Sequence, residues 1–362
     1  MDKMKSWTIP LWIVAVAVIV FFLVAAKRIL IPLVLAVAIW YVIESLAIGI
    51  RSIKFRGRTT RKIPRWIAIV LASVLVIGTF LGGLQIVVEN FQDMARSTSK
   101  YEEQIADLLS LVSQYLGIEG MAEVTDILAE LDMPALIGPL VDTVANLFAS
   151  VILVIIYVIF LLLERNTFKT KLRRLFSDQV NYDNFAGVMS QVNDSIRTYI
   201  TVKIFTSFLT GFLSYIVMEL FGLEFALFWA FLIFLLNFIP SLGSITATSL
   251  PLFFSLVQFE ALSTFFLLLV LLVGIQILVG NYIDPMLMGS RLNISPLVII
   301  LSLVSWGSIW GFAGMIFSVP IMAVLIISFA QFPQTRPFAI LLSAKGEVEV
   351  KALGKSEDLN KE

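Results

Sequence analysis

The sequence predicts an all-α polytopic membrane protein, and three observations carry that reading. Of 362 residues, 59% are hydrophobic and 14% charged, whereas a soluble domain carries roughly 25% charged residues. Apolar runs recur at about 7–26, 29–50, 66–88, 140–163, 204–221, 225–257, 262–283 and 297–330, on the scale of the roughly 20 residues that cross a bilayer. The stretches between them differ sharply in charge sign, as the loops of a multi-spanning chain do. The lipid bilayer is therefore the first partner. Cysteine and histidine are absent, which removes disulfides, thiolate chemistry, Cys/His metal sites and histidine proton relays. No metal or cofactor is expected beyond coupling to H+ or Na+.

Residues 1–88 hold three spans. Two lysines precede the first apolar run, as in a signal peptide, but the run is long for one and a second follows directly, so a retained span is expected. The loop 51–65 carries Arg51, Lys54, Arg56, Arg58, Arg61, Lys62 and Arg65 with no acid. Beside two spans this marks the cytoplasm rather than a nucleic-acid surface; Lys27 and Arg28 then fall outside. The third span leads into a segment, 89–139, that is acidic: from Glu89 to Asp142 there are eleven acids against Arg96 and Lys100. Its apolar residues recur at helical spacing, predicting an external helical insert that packs against neighbouring helices.

The fourth span, 140–163, ends at a basic cluster that includes Lys171, Arg173 and Arg174. Within the linker 164–203, Phe185, Val188, Met189, Val192, Ile196, Tyr199 and Ile200 share one helical face. That pattern predicts an amphipathic helix at the cytoplasmic interface, leading into the fifth span. The C-terminal half occupies 204–332, and the polar tail 333–362 is expected to be disordered. Both termini fall in the cytoplasm.

Segments 225–257 and 297–330 are each interrupted. As straight helices they would reach roughly 50 Å, against a hydrocarbon core of about 30 Å. The first carries NFIPSLGS (237–244), the second GSIWGFAG (307–314), and each later has a Ser-x-Pro, at Pro251 and Pro320. Each is a kinked span or a re-entrant hairpin of two half-helices, or one is each. Pro240 lacks an N–H, and Ser241 and Gly243 favour leaving the helix, so backbone groups near Asn237 lose intrahelical partners. Inside a membrane such groups persist only where protein, water or solute meets them. Paired interruptions of this kind point to a transporter's binding site, while a proline kink satisfied by neighbours is the plain structural alternative. Between the breaks, Asn281, Asp284, Arg291 and Asn293 cluster around Pro285 and Gly289. Asp284 is a candidate for ion coupling, with Arg291 as partner; Glu44 and Lys203 are the other membrane-embedded charges. Glu44 can instead reach toward the basic loop.

Through NFIPSLGS, the stretch GNYIDPMLMGSRLNISPLVIILSLVSWGSIWGFAGMIFSVPIMAVL, the SIRTYI helix and the order of elements, the chain resembles the autoinducer-2 exporter family of permeases over nearly its whole length. The resemblance implies a multi-pass protein of the inner (cytoplasmic) membrane, assembled as a homo-oligomer, a pentamer being expected. It implies export of a small polar solute such as autoinducer-2, or exchange of sodium or lithium for protons. It also carries over Asn237, Pro240, Gly243, Gly280, Asn281, Pro285, Pro296, Gly311, Gly314 and Pro320. This chain departs from the family pattern at Ser241, Ser295 and Lys203, where an aromatic, a histidine and a neutral polar residue are frequent.

The leading expectation is a gradient-coupled exporter acting at the broken helices through alternating access. A Na+ or Li+/H+ antiporter, a passive oligomeric channel and a structural scaffold are the alternatives. No Walker A motif appears and no nucleophile–base arrangement is visible, so neither ATP coupling within the chain nor enzymatic catalysis is expected.

Overall fold

Helix is the only extended regular structure among the described residues, as expected where backbone hydrogen bonds must close within each segment. The computed structural model describes residues 8–52, 63–96, 151–176, 179–259, 261–289 and 293–347. Most of the basic loop, the insert from 97 onward, residues 140–150 of the fourth span, Arg291 and the tail from 348 lie outside those residues. The helices are α1 (Thr8–Ala25), α2 (Lys27–Ser52), α3 (Arg65–Arg96), α4 (Val151–Leu175), α5 (Gln179–Leu220), α6 (Ala226–Leu236) and α7 (Leu242–Gln258). Then come α8 (Leu262–Ile277), a π-helix (Leu278–Ile283), α9 (Asp284–Met288), α10 (Pro296–Ala330) and α11 (Arg336–Leu342).

Five described stretches have the length and apolar composition of membrane spans: Lys27–Ser52, Arg65–Asn90, Tyr182–Leu220, Leu262–Met288 and Pro296–Ala330. The chain is thus a multi-pass membrane protein. The amphipathic stretch and the fifth span form one continuous helix, α5, of 42 residues. No proline interrupts it, so nothing in the backbone separates an interfacial helix from the span.

The chain divides into two compact units. One comprises residues up to Ser45, Ser150–Ile200 and everything from Ser290. Here the Tyr41 hydroxyl on α2 donates to Asn193 Oδ1 on α5. The Trp310 indole N–H on α10 donates to the Leu23 carbonyl on α1 at 3.1 Å. The segment expected to be disordered contains α11, whose Phe338 lies against Phe329 of α10 with ring centroids 6.4 Å apart. Ser295 N–H donates to the Leu342 carbonyl at 3.0 Å and Ala344 N–H to the Asn293 carbonyl at 3.2 Å. An apolar stretch, FAILL, within 333–362 thus folds where the polar remainder suggested disorder.

Although α10 meets the length of a span, it doubles back. Gly311 has φ 61° and ψ −138°, and the Ser302 hydroxyl donates to the Ser318 carbonyl at 3.1 Å. Sixteen residues of straight helix would hold those groups roughly 24 Å apart. The fold-back is tight: a Cβ on Gly314 would lie 1.8 Å from the Trp306 carbonyl oxygen.

The other unit comprises Leu46–Ala149 and Thr201–Gly289. In it α6 and α7 form a second helical hairpin. At its mouth the Gln258 amide donates to the Gly222 carbonyl at 2.8 Å and accepts from the Glu224 N–H at 2.8 Å. Phe254 of α7 packs on Phe225 and on Trp229 of α6, with centroids 5.8 and 5.4 Å away. At its tip a Cβ on Gly243 would lie 1.8 Å from the Leu236 carbonyl oxygen. That is the counterpart of the Gly314–Trp306 approach. With 11 and 17 residues, the arms reach roughly 16 and 25 Å, less than the hydrocarbon core. Both interrupted segments are therefore helical hairpins and not kinked rods.

Because the native chain has no cysteine, the fold-back of α10 has a direct test. A Ser302→Cys/Ser318→Cys variant is expected to form an intramolecular disulfide on mild oxidation, read as lost reactivity toward a maleimide polymer. Persistent labelling of both cysteines would show a straight helix. Gly243→Ala is expected to lower the thermal midpoint of the purified protein or abolish its recovery, since the added carbon meets rigid backbone.

Candidate functional site

The second half of α5 carries a buried polar stripe. Lys203, Thr206, Ser207, Thr210 and Ser214 are 8%, 1%, 0%, 1% and 2% exposed, at spacings that keep them on one helical face. Phe205, Phe208 and Phe212 lie on the exposed side. Two of the stripe's hydroxyls close on their own helix: Thr206 Oγ1 to the Lys203 carbonyl at 3.3 Å, and Thr210 Oγ1 to the Thr206 carbonyl at 2.8 Å. For Thr210 this returns the hydroxyl proton to the backbone and leaves the oxygen's lone pairs available, whereas the single Thr206 proton is shared between the Lys203 carbonyl and the Asp284 carboxylate.

Three other elements of the same unit complete a polar cluster around this stripe. From the hairpin tip, Asn237, 6% exposed, donates through Nδ2 to Ser207 Oγ at 3.1 Å. From α8, Gln276 donates through Nε2 to Asn237 Oδ1 at 3.4 Å. From the start of α9, Asp284 accepts from Lys203 Nζ at 3.2 Å through Oδ2 and from Thr206 Oγ1 at 3.4 Å through Oδ1. The side chains of Lys203 and Asp284 are only 10% and 15% exposed. Gln276 Oε1 is buried and has no hydrogen-bond partner among the described residues.

The π-helix explains how Gln276 and Asp284 address the same stripe. On an unbroken α-helix, side chains eight residues apart point about 80° apart. One extra residue in a wider turn brings the offset to about 20°, so both point the same way. The Asp284 N–H accordingly bonds to the Val279 carbonyl, five residues back. Gly280 and Asn281 occupy the wide turn.

At the hairpin tip the freed backbone largely satisfies itself. Ile239 N–H donates to the Leu236 carbonyl at 2.9 Å, Leu242 N–H to the Pro240 carbonyl at 2.6 Å, and Gly243 N–H to the Ile239 carbonyl at 3.3 Å. Ser244 Oγ donates to the Ser241 carbonyl at 2.8 Å. The break therefore presents the Asn237 side chain rather than open backbone groups. Pro240 and Gly243 shape the turn, and Ser241, with φ 59° and ψ −59°, is exposed.

The remaining expected residues fall elsewhere. Asn281 is exposed. Asn293 belongs to the other unit and holds the chain's C-terminal segment, donating to the Glu347 carbonyl at 2.6 Å. Glu44 is half-buried in α2, also in the other unit. Asp284 pairs with Lys203; Arg291, expected as its partner, lies outside the described residues. Pro251 is buried within α7 and Pro320 within α10, while Pro285 opens α9. Thr206, Ser207, Thr210 and Gln276 were not anticipated. Polar residues at 203, 206, 207, 210 and 214 in an apolar run were the signal for the first three.

Breaking a buried ion pair by neutralising one partner costs roughly 3–5 kcal/mol, whereas replacing both with apolar groups is often near neutral. Asp284→Asn is therefore expected to lower thermal stability strongly in sodium-free buffer. Lys203→Met/Asp284→Leu should recover most of that loss, and calorimetry of the two variants in detergent checks it. Additive losses would mean that the charges do not interact.

The family described as AI-2E family transporter matches residues 9–334. The chain is 30% identical over 353 residues to a Haemophilus influenzae protein with a provisional transport-protein name, covering 94% of this chain and 96% of that one. It is 35% identical over 195 residues to a Borreliella burgdorferi protein with the same kind of name, 54% of each chain. It is also 26% identical over 325 residues to the AI-2 transport protein TqsA of Escherichia coli, covering 88% and 90%. With the family matched over almost all of its length, this chain belongs to the AI-2E transporter family.

Proposed function

We propose that this chain exports a small polar solute through the cluster formed by Asn237, Ser207, Gln276, Thr206, Lys203 and Asp284, driven by an ion gradient. The observation that carries the proposal is the buried, unpartnered Gln276 Oε1 beside the tip of a broken helix. A buried acceptor without a donor is destabilising by about 1–3 kcal/mol, and more in hydrocarbon, so such a group is retained where water or a ligand meets it. Hairpin arms shorter than the hydrocarbon core favour a re-entrant arrangement with the tip near the midplane. The name of the E. coli relative makes autoinducer-2 the first solute to test.

Basic residues at Arg51, Arg173 and Arg174 favour cytoplasmic termini in the inner membrane. Assembly as a homo-oligomer, with a pentamer as the specific form, would cover some of the exposed apolar side chains. A second reading, monovalent cation/proton antiport, is favoured by the buried Lys203–Asp284 pair, because intramembrane carboxylates recur in ion pathways.

The test is flux of autoinducer-2 into proteoliposomes holding the full chain. Asn237→Ala is expected to lower initial flux about tenfold or more, the equivalent of one lost hydrogen bond of about 1.4 kcal/mol. Its oligomeric state should match that of the unaltered chain. Unchanged flux in that variant would remove the site from the pathway.

A further inference from the structure

We infer that Asp284 and Thr206 form a monovalent-cation site whose occupant is the chain's own Lys203, so that this transporter works without sodium. The inference rests on the functional reading above and says which ion does not serve it.

The geometry is that of a cation slot already filled. Asp284 Oδ2 receives the Lys203 ammonium at 3.2 Å and Oδ1 the Thr206 hydroxyl at 3.4 Å. Thr206 Oγ1 also lies 3.3 Å from the Lys203 main-chain carbonyl. The ammonium thus touches one carboxylate oxygen, while the hydroxyl on the other oxygen and the carbonyl beside it are further oxygen donors of the kind that hard cations take. The carbonyl and hydroxyl stay in place whatever side chain stands at 203.

What residue 203 supplies is the charge. A carboxylate removed from water without a counter-ion is strongly disfavoured. Lysine meets that need with a compact ammonium on a flexible stem. Its covalent attachment gives it a local concentration that dissolved sodium does not match. The site is therefore neutral at rest, and a neutral solute can meet Asn237 and Gln276 without any ion entering. With a neutral residue at 203 the Asp284 carboxylate would need an external cation.

The experiment is thermal unfolding of the purified full-length protein in saturating sodium chloride against choline chloride. Stabilisation by sodium reads cation binding directly, because a ligand that binds only the folded state raises the midpoint. The unaltered chain is expected to show no sodium-specific shift. Lys203→Gln, purified in sodium, should gain several degrees over its choline value. That gain should vanish in Lys203→Gln/Asp284→Asn. Lys203→Arg should remain insensitive to sodium. Lys203→Ala offers a second route: methylammonium should stabilise it as sodium does.

A sodium shift in the unaltered chain would overturn the inference. So would a Lys203→Gln protein with equal midpoints in both salts, or Lys203→Gln and Lys203→Ala both failing to fold in sodium. None of these readouts involves solute flux. A failure here leaves the Asn237 site standing, and a failed autoinducer-2 assay leaves the cation slot standing.

Discussion

Every peptide group that leaves a helix inside a membrane must find another partner, and much of this structure answers that requirement. An unsatisfied N–H or C=O in hydrocarbon costs several kcal/mol, so helix breaks are tolerated only where something closes them. Both breaks here use the same device. A short turn joins two antiparallel half-helices, and a glycine in the second arm meets a carbonyl of the first too closely for any side chain. Gly243 against Leu236 and Gly314 against Trp306 are separate solutions to one constraint. The first tip consumes most of its own freed groups through short-range bonds, and Asn237 is left as the polar group that faces inward.

The unit holding the first hairpin then shows how few polar groups are needed to build a buried polar cluster in an apolar chain. One stripe on α5, one amide from the hairpin tip and two side chains on either side of a π-helix suffice. Each is expensive to bury alone, and Lys203, Ser207, Asn237, Gln276 and Asp284 are partnered by one another. The π-helix carries a cost of its own in poorer hydrogen bonding, yet it swings Asp284 onto the face that Gln276 already occupies. A buried lysine and a buried aspartate thereby become one neutral pair, and one amide oxygen remains open.

Much of this was legible in the sequence, though unevenly. NFIPSLGS marks a hairpin tip because proline, glycine and serine act on the backbone where they stand. GSIWGFAG marks the second tip for the same reason. Asn237, Asp284 and Lys203 stand out because polar and charged residues in apolar runs demand an explanation. Ser207 and Thr210 were harder to see, since serine and threonine satisfy themselves on their own helix and are common in membrane spans. Asn281 and Asn293 stood beside Asp284 as candidates on a linear reading. The wide turn leaves Asn281 exposed, and the chain's C-terminal segment occupies Asn293. The apolar FAILL of α11 was hidden by the polar residues after it.

The sequence by itself determined the membrane class, the positions of both breaks and the inventory of polar groups available. Those follow from composition and from backbone chemistry acting within a few residues. Tertiary structure decided that each break is a hairpin, and that Asp284 answers to Lys203 across 81 positions. It also decided that Gln276 completes the cluster. Such pairings depend on helix rotation and on where a chain turns back, and one extra residue in a turn shifts direction by about 100°. No linear pattern records that rotation.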